Sequence, residues 1–435
     1  MKPWTHQSNF LEFSEGKHGL MMNFDMGTGK TFTTILMLRK YDAKRVLVLC
    51  PKSVIPVWVT ALQDHTDFAV FPLTKGTAKD KTDLLKSTNN TNYDKKAVIV
   101  NYETAWRDPL GAFLKGVRWD FAILDESHRI KAPGGKGSWF AKALGKKSTR
   151  RLCLTGTAMP HSPLDIYAQY RFLDPNIFGT SFHRFKSRYA ILGGYQGRQV
   201  VDFQNLEELN QKFYSIAQRV MKDDVLDLPE THHIDIPCIL SHKAMTVYQE
   251  LEEELCADLD GGEITINNTL TKLLRLQQIA GGFIKLDEKD RPQKVDSAKF
   301  DALQDLIIDI GTEPVVVFCR FRAEIDMIRE KYSAYEISGK CNELDTWNSN
   351  GGVLVVQIQA GGVGIDLTKS RYCIYYSLGF SLGDYEQSLA RQDRPGQTRK
   401  VTYYHLIAQS TVDVKVYKAL KEKKNVIDSV LDGLT

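Results

Sequence analysis

The stretch "FDMGTGKTFTTILML", residues 24–38, decides how the rest of the chain is read. An apolar, strand-like run, "GLMMNFD", leads into Gly27 and Gly29. Lys30, Thr31 and an amphipathic helical pattern follow. Glycines let a backbone approach a ligand closely and turn successive N–H groups toward an anion. The start of the next helix adds its positive dipole end. A lysine here reaches the β/γ-phosphates of a nucleotide, and the threonine hydroxyl ligates Mg²⁺. The longer GxxxxGKT pattern asks for glycine at 24, where this chain has Phe24, but the GxGKT core is intact. The competing reading is a glycine-rich turn before an ordinary core helix, so residues far downstream must decide.

Three later stretches do so in combination. In "FAILDESHRIK", 121–131, an apolar strand delivers Asp125 and Glu126 at its C-terminal end, where α/β sheets place ligands. One carboxylate can hold Mg²⁺ and the other can orient and deprotonate an attacking water. "LTGTAMP", 154–160, is a second strand followed by Thr and Gly; alone it is a turn, and its weight comes from its order after "DESH". In "EQSLARQDRPGQ", 386–397, the spacing of Gln387, Arg391 and Arg394 predicts one shared helix face. Guanidinium forks suit phosphate better than lysine does.

Around these stretches the chain alternates strands and helices twice. "RVLVLC" (45–50), "KAVIVN" (96–101), "FAILDE" (121–126) and "RLCLTG" (151–156) predict a parallel sheet with crossover helices. "PVVVFCR" (314–320), "GVLVVQI" (352–358), "YCIYYSL" (372–378) and "VTYYHLI" (401–407) predict a second. Between them, "LEELNQKFYSIAQRVM", "HKAMTVYQELEEELCADL" and "TLTKLLRLQQIAGGF" have helical periodicity. "GGYQGRQVVDF" (193–203) is a hairpin or loop candidate, and "DEKDRPQKVDS" (287–297) reads as a linker. The expected organisation is α/β: a first lobe over 1–170, a mostly helical insertion over 171–295, and a second lobe over 296–435.

Composition excludes more than it selects. The chain has 435 residues, 43% hydrophobic and 25% charged, with a net charge of only +4. Charge alone therefore does not announce nucleic acid, and the basic cluster "GKKSTRR" reads as a solvated face. No apolar run reaches the roughly 18 residues of a membrane span. The N-terminal "MKPWTHQSNF" lacks an apolar signal core. A soluble, cytoplasmic protein with no membrane partner is expected. Seven cysteines show no CxxC spacing, and Cys50, Cys153, Cys319 and Cys373 read as buried hydrophobes. His232, His233 and His242 lack the companions of a metal site. "DLDGGE" fails as a calcium loop, with Glu263 and Thr269 at the positions that need Gly and Glu.

Taken in order, "DMGTGKT", "DESHRIK", "LTGTAMP", "QAGGVGIDLT" and "QSLARQDRPGQ" resemble the motifs of superfamily-two helicases, specifically the Swi/Snf-type ATPases. The glutamine ending "RPGQ" points to that branch. "VLVLCPKSVIPVW", "VIVNYETAW", "QRVMKDDVLDLPE" and "LLRLQQIAGGF" resemble intervening family segments. The resemblance implies two RecA-like lobes with ATP and Mg²⁺ between them. It implies a phosphate site at Gly27, Thr28, Gly29, Lys30 and Thr31, with metal at Thr31 and Asp125, and a base at Glu126. Arg391 and Arg394 would be arginine fingers, and Gln7 of "WTHQ" would read adenine. Gln387 and Asp366 would lie at the nucleotide, although Asp366 stands where the family often has asparagine. Phe24 and Asp25 replace the family's more usual acidic pair. DNA contacts would fall on Lys52, Asn101, Arg320 and Gln359, mostly to phosphate and sugar.

The resulting expectation is a DNA-dependent ATPase moving along duplex or branched DNA. Two alternatives stand beside it: a strand-separating or fork-remodelling helicase, and a non-catalytic, nucleotide-gated DNA-binding module. So little sequence follows Gln397 that a bare, monomeric motor is expected. Such compact versions resemble those of phages and bacteria, with replication or recombination proteins as partners.

Overall fold

The computed structural model describes residues 2–89, 93–194, 197, 199–260, 266–285, 291–361 and 365–431. Glu263, the tip of the hairpin candidate, part of the 287–297 linker and Gly362–Gly364 of "QAGGVGIDLT" lie outside them. The chain forms two compact units. Unit 1 comprises Met1–Asp227 with Lys424–Thr435, and unit 2 comprises Leu228–Lys423. The 171–295 segment thus divides between the units, and the chain end returns to unit 1.

Unit 1 is built on β1 (Gly19–Phe24), β2 (Arg45–Cys50), β3 (Ala69–Pro72), β4 (Lys96–Asn101), β5 (Trp119–Asp125), β6 (Ser148–Leu154) and β9 (Ala217–Val220). All pair in parallel, in the order β3-β4-β2-β5-β6-β1-β9. Side β-hairpin β7 (Ala190–Gly193) and β8 (Gln199–Phe203) pairs antiparallel, as the hairpin candidate suggested. Helices α1 (Thr5–Phe13), α2 (Lys30–Lys40) and α3 (Ile55–His65) precede or follow these strands. Strands sandwiched by helices on both faces need apolar residues at every position rather than alternately. That is why β1 is buried throughout and why β2 is buried from Val46 onward. Met22, Ile35, Leu38, Val46, Val48, Trp58 and Ile123 share one core cluster. Each such side chain contributes roughly 1.5–3 kcal/mol on leaving water.

Unit 2 contains β10 (Thr231–Cys238), the small antiparallel pair β11 (Phe283–Ile284) and β12 (Gln293–Lys294), then β13 (Val315–Cys319), β14 (Tyr335–Ile337), β15 (Val353–Gln357), β16 (Tyr372–Tyr375) and β17 (Val401–Ala408). Its main sheet is also parallel, in the order β10-β17-β16-β13-β15-β14. Parallel pairing puts all C-terminal strand ends of a sheet on one edge, where loops can converge on a ligand. Among the described residues no helix is long and apolar enough to cross a membrane.

Candidate nucleotide and nucleic-acid site

On the strand-end edge of unit 1, β6 lies between β5 and β1. The "LTGTAMP" turn is therefore placed between the carboxylates and the glycine loop. Gly27 and Gly29 both have φ of 85°, a conformation only glycine adopts at low cost. Gly29 is the N-cap of α2, so Lys30 and Thr31 open the helix. Lys30 Nζ donates to the carbonyls of Phe24 (2.9 Å) and Asp25 (3.2 Å), which folds the ammonium back over the loop. Thr28 Oγ1 donates to the Asp25 carbonyl at 2.7 Å. The buried Gln7 places its amide where a Cβ on Gly29 would stand. Its Oε1 accepts the Trp4 N–H at 2.9 Å. Phe24, which replaces a polar family position, is fully buried in the core. The Asp25 carboxylate accepts the Lys222 N–H at 3.1 Å.

Asp125 ends β5 and is held from three sides. Trp58 Nε1 donates to its Oδ2 at 2.8 Å, the Glu126 N–H to its Oδ1 at 3.0 Å, and the Tyr102 hydroxyl to its carbonyl at 2.8 Å. Burial, and then the neighbouring Glu126 charge, push the Asp125 carboxyl above its ordinary range. The Trp58 bond and Lys30 oppose that shift. Glu126 has φ of 53°, rare for a residue with a Cβ. It is buried, and its Oε2 has no hydrogen-bond partner. His128 Nδ1 stands 3.5 Å from that oxygen. Burial, with the nearby cations, lowers the His128 pKa to about 3, so the ring is neutral and offers Glu126 no charge. The His128 ring also meets Thr155 Oγ1 at 3.2 Å. Ser127 Oγ donates to Gln169 Oε1 at 2.6 Å, and Gln169 Nε2 donates to the Ala158 carbonyl at 2.7 Å. The second and third motifs are thereby tied directly together.

The residues fit a Mg²⁺–nucleotide. Glu126 Oε2 is an orphaned buried acceptor, Lys30 occupies carbonyls that phosphate oxygens can replace, and the loop is a glycine cradle. Magnesium bound this way takes one or two carboxylates plus phosphate oxygens rather than a protein cage.

In unit 2, Gln387 is buried in the helix Leu382–Leu389. That helix stops there, which corrects the shared-face expectation for Arg391 and Arg394. The Gln392 and Asp393 N–H groups both turn back to the Leu389 carbonyl, and Pro395–Gly396 cannot continue a helix. Arg391 is 6% exposed. Arg394 Nη1 donates to the Ile365 carbonyl at 3.2 Å, and its Nε lies 4.0 Å from Asp366 Oδ2. Asp366 Oδ1 also accepts from the Thr368 backbone and hydroxyl. Gln397 Nε2 donates to the carbonyls of Thr368 and Ser370, fixing the arginine-bearing turn to that loop.

The DNA candidates fall at strand ends. Lys52 follows β2 in the exposed turn Lys52–Val54, and Asn101 ends the adjacent β4. Asn101 Nδ2 is engaged with Glu103 at 2.8 Å. Arg320 follows β13, and the exposed Gln359 follows the adjacent β15. Arg320 donates to Gln277 Oε1. Trp58, Tyr102 and Gln169 join this cluster without a sequence signal, because each is an unexceptional residue whose polar tip is placed only by its tertiary partner.

A SNF2-related domain model matches residues 6–281. The chain belongs to the SNF2-related family. A helicase conserved C-terminal domain model matches residues 298–396. This SNF2 chain is similar to protein p41 of Acyrthosiphon pisum secondary endosymbiont phage 1, with 26% identity over 94% of this chain and 93% of that protein. It is 23% identical to the CHD3-type chromatin-remodeling factor PICKLE of Arabidopsis thaliana, over 98% of this chain and 34% of that protein. It is 22% identical to an uncharacterized ATP-dependent helicase of Mycoplasma genitalium, over 96% of this chain and 40% of that protein. The chain thus spans less than half the length of these two relatives. The solved Sulfolobus solfataricus SWI2/SNF2 ATPase core in complex with dsDNA matches all of the chain and 94% of its own, at 24% identity and a TM-score of 0.46. The SNF2 assignment makes the protein a nucleotide-binding ATP hydrolase with the architecture of an ATP-dependent DNA translocase or remodeller.

Proposed function

We propose that the chain hydrolyses Mg²⁺–ATP while tracking along duplex DNA, in phage or bacterial replication, recombination or repair. The observation that carries the reading is Glu126: a buried carboxylate in a strained conformation, with an unpartnered oxygen, next to Asp125, which feels the Lys30 charge. Strain of this kind persists where the surroundings hold it and clusters at functional sites. The near full-length similarity to a phage protein supports the phage or bacterial setting.

In this reading Gly27–Thr31 hold the phosphate chain, Gln7 reads adenine, and Thr31 and Asp125 hold the metal. Bound Mg²⁺ would neutralise charge on the phosphate oxygens. Glu126 Oε2 takes the proton of the attacking water. Arg391 and Arg394 supply the cationic donors that the γ-phosphoryl group needs as charge develops. Gln387 and Asp366 orient those arginines and the nucleotide. Lys52, Asn101, Arg320 and Gln359 grip the DNA backbone, which gives position rather than sequence.

ATP turnover without DNA and with duplex, single-stranded and forked DNA tests this. Duplex DNA should stimulate most, and a third strand should be displaced from a triplex. Displacement of one strand of a duplex instead would favour an unwinding helicase. Turnover that ignores DNA would contradict the translocase reading.

A further inference from the structure

Asp125 is held by two side chains from the segments that follow two other strands. Trp58 lies in α3, reached from β2 through the Lys52–Val54 turn. Its indole is fully buried, and its one donor ends on Asp125 Oδ2 at 2.8 Å. Tyr102 directly follows Asn101 at the end of β4, and its hydroxyl ends on the Asp125 carbonyl at 2.8 Å. In the sheet, β4 and β2 lie consecutively beside β5. Both DNA-candidate segments of unit 1 therefore reach the same residue of the nucleotide site by one direct hydrogen bond each. We propose that Trp58 and Tyr102 are positioning residues that couple DNA contact after β2 and β4 to the metal-holding geometry of Asp125. The inference rests on the assignment above of Lys52 and Asn101 to DNA and of Asp125 to Mg²⁺.

Both side chains act as rigid levers on Asp125. An indole N–H has a single direction in which to donate, and a buried one left unpaired is costly. Trp58 fixes Oδ2 while the Glu126 N–H fixes Oδ1, so the carboxylate plane is set by two donors. A backbone shift of α3 or of the Asn101–Tyr102 turn moves a donor, and Asp125 must follow or lose it. Partners outside the ligand set commonly tune metal affinity through this kind of orientation. Ordinary satisfaction of two buried polar tips would give the same bonds, but it would not link their loss to metal or to DNA.

The test is Trp58→Phe and Tyr102→Phe, each keeping the ring and deleting the donor. Two readouts are needed on each full-length variant. The first is equilibrium binding of a fluorescent ATP analogue in EDTA and across a Mg²⁺ titration. The second is turnover without and with saturating duplex DNA. Binding in EDTA should stay within about twofold of wild type, while the Mg²⁺ half-saturation of binding rises ~10-fold or more. DNA-stimulated turnover should fall by a larger factor than DNA-free turnover. An unchanged Mg²⁺ half-saturation together with an unchanged stimulation ratio in a folded variant overturns the proposal. If Trp58→Phe does not fold, Tyr102→Phe decides by the same criteria. Wild-type protein that shows no DNA stimulation at all would overturn the functional reading itself, and that failure is visible before any variant is made.

Discussion

Units 1 and 2 carry the same kind of parallel sheet and use its strand ends differently. In unit 1 the ends of β1, β5 and β6 deliver a glycine cradle, two carboxylates and a threonine; the Glu126 N–H donates to Asp125, and His128 beside them meets Thr155. In unit 2 the described residues of the corresponding edge deliver cationic side chains held by neighbouring oxygens. Arg394 is moored to Ile365 and lies near Asp366, and Arg320 is moored to Gln277. Under the proposed function this difference is a division of labour: unit 1 would hold the phosphate chain and activate water, and unit 2 would supply the arginine cations. The two roles should separate in mutants.

The largest effect is expected at the lent cations. An arginine finger is worth on the order of 10³–10⁵ in kcat. Arg394→Ala should therefore collapse DNA-stimulated turnover, and Arg394→Lys should rescue it poorly because the fork geometry is lost. Glu126→Gln comes next. An amide cannot accept the proton of water, so hydrolysis should fall by roughly 10²–10⁴ while ATP still binds. Wild-type turnover in Glu126→Gln would mean another group is the base.

A smaller effect concerns DNA grip, which both units should share. About five phosphate contacts would give a log–log salt dependence of affinity with a slope of about −4 to −5. Lys52→Ala and Arg320→Ala should each make the slope shallower by about one. Slopes unchanged in the variants would remove those residues from the interface. The smallest effect distinguishes the interior of unit 2. Glu324 is fully buried, and burial raises its carboxyl from 4.5 to about 7, against bonds from Ser377 and from the Phe321 and Arg320 N–H groups. The folded state holds that proton more tightly than the unfolded one. Stability from this group is thus present below pH 4.5 and lost as pH rises toward about 7. Glu324→Gln should flatten the melting-temperature profile across that window. A profile with the wild-type slope would show that Glu324 does not carry it.

The contrast between units also explains what could be read from sequence. Strands buried on both faces write continuous apolar runs, so β2 and β4 were legible to the residue, and β5, β13, β15 and β17 nearly so. The missed strands are short or carry polar residues, such as β14 "YEI" and β10 "THHIDIPC", whose residues Thr231–Pro237 all lie outside the buried core. The glycine loop and the "DE" pair were legible because their backbone and charge demands are local. The arginine turn was not, since helical spacing said nothing about the helix ending at Leu389, before either arginine. Trp58 and Tyr102 were illegible for a different reason: an aromatic in an apolar run reads as core, and each is core except for one polar atom. The partition of 171–295 between the units depends on tertiary contacts that no periodicity records.

The division of labour is tested most directly by measuring nucleotide affinity and DNA-stimulated turnover side by side for Lys30→Ala and Arg394→Ala. The account predicts that Lys30→Ala loses nucleotide affinity and turnover together, while Arg394→Ala keeps affinity near wild type and loses turnover. Near-normal DNA-stimulated turnover in Arg394→Ala, or an equal loss of affinity in both variants, would contradict it.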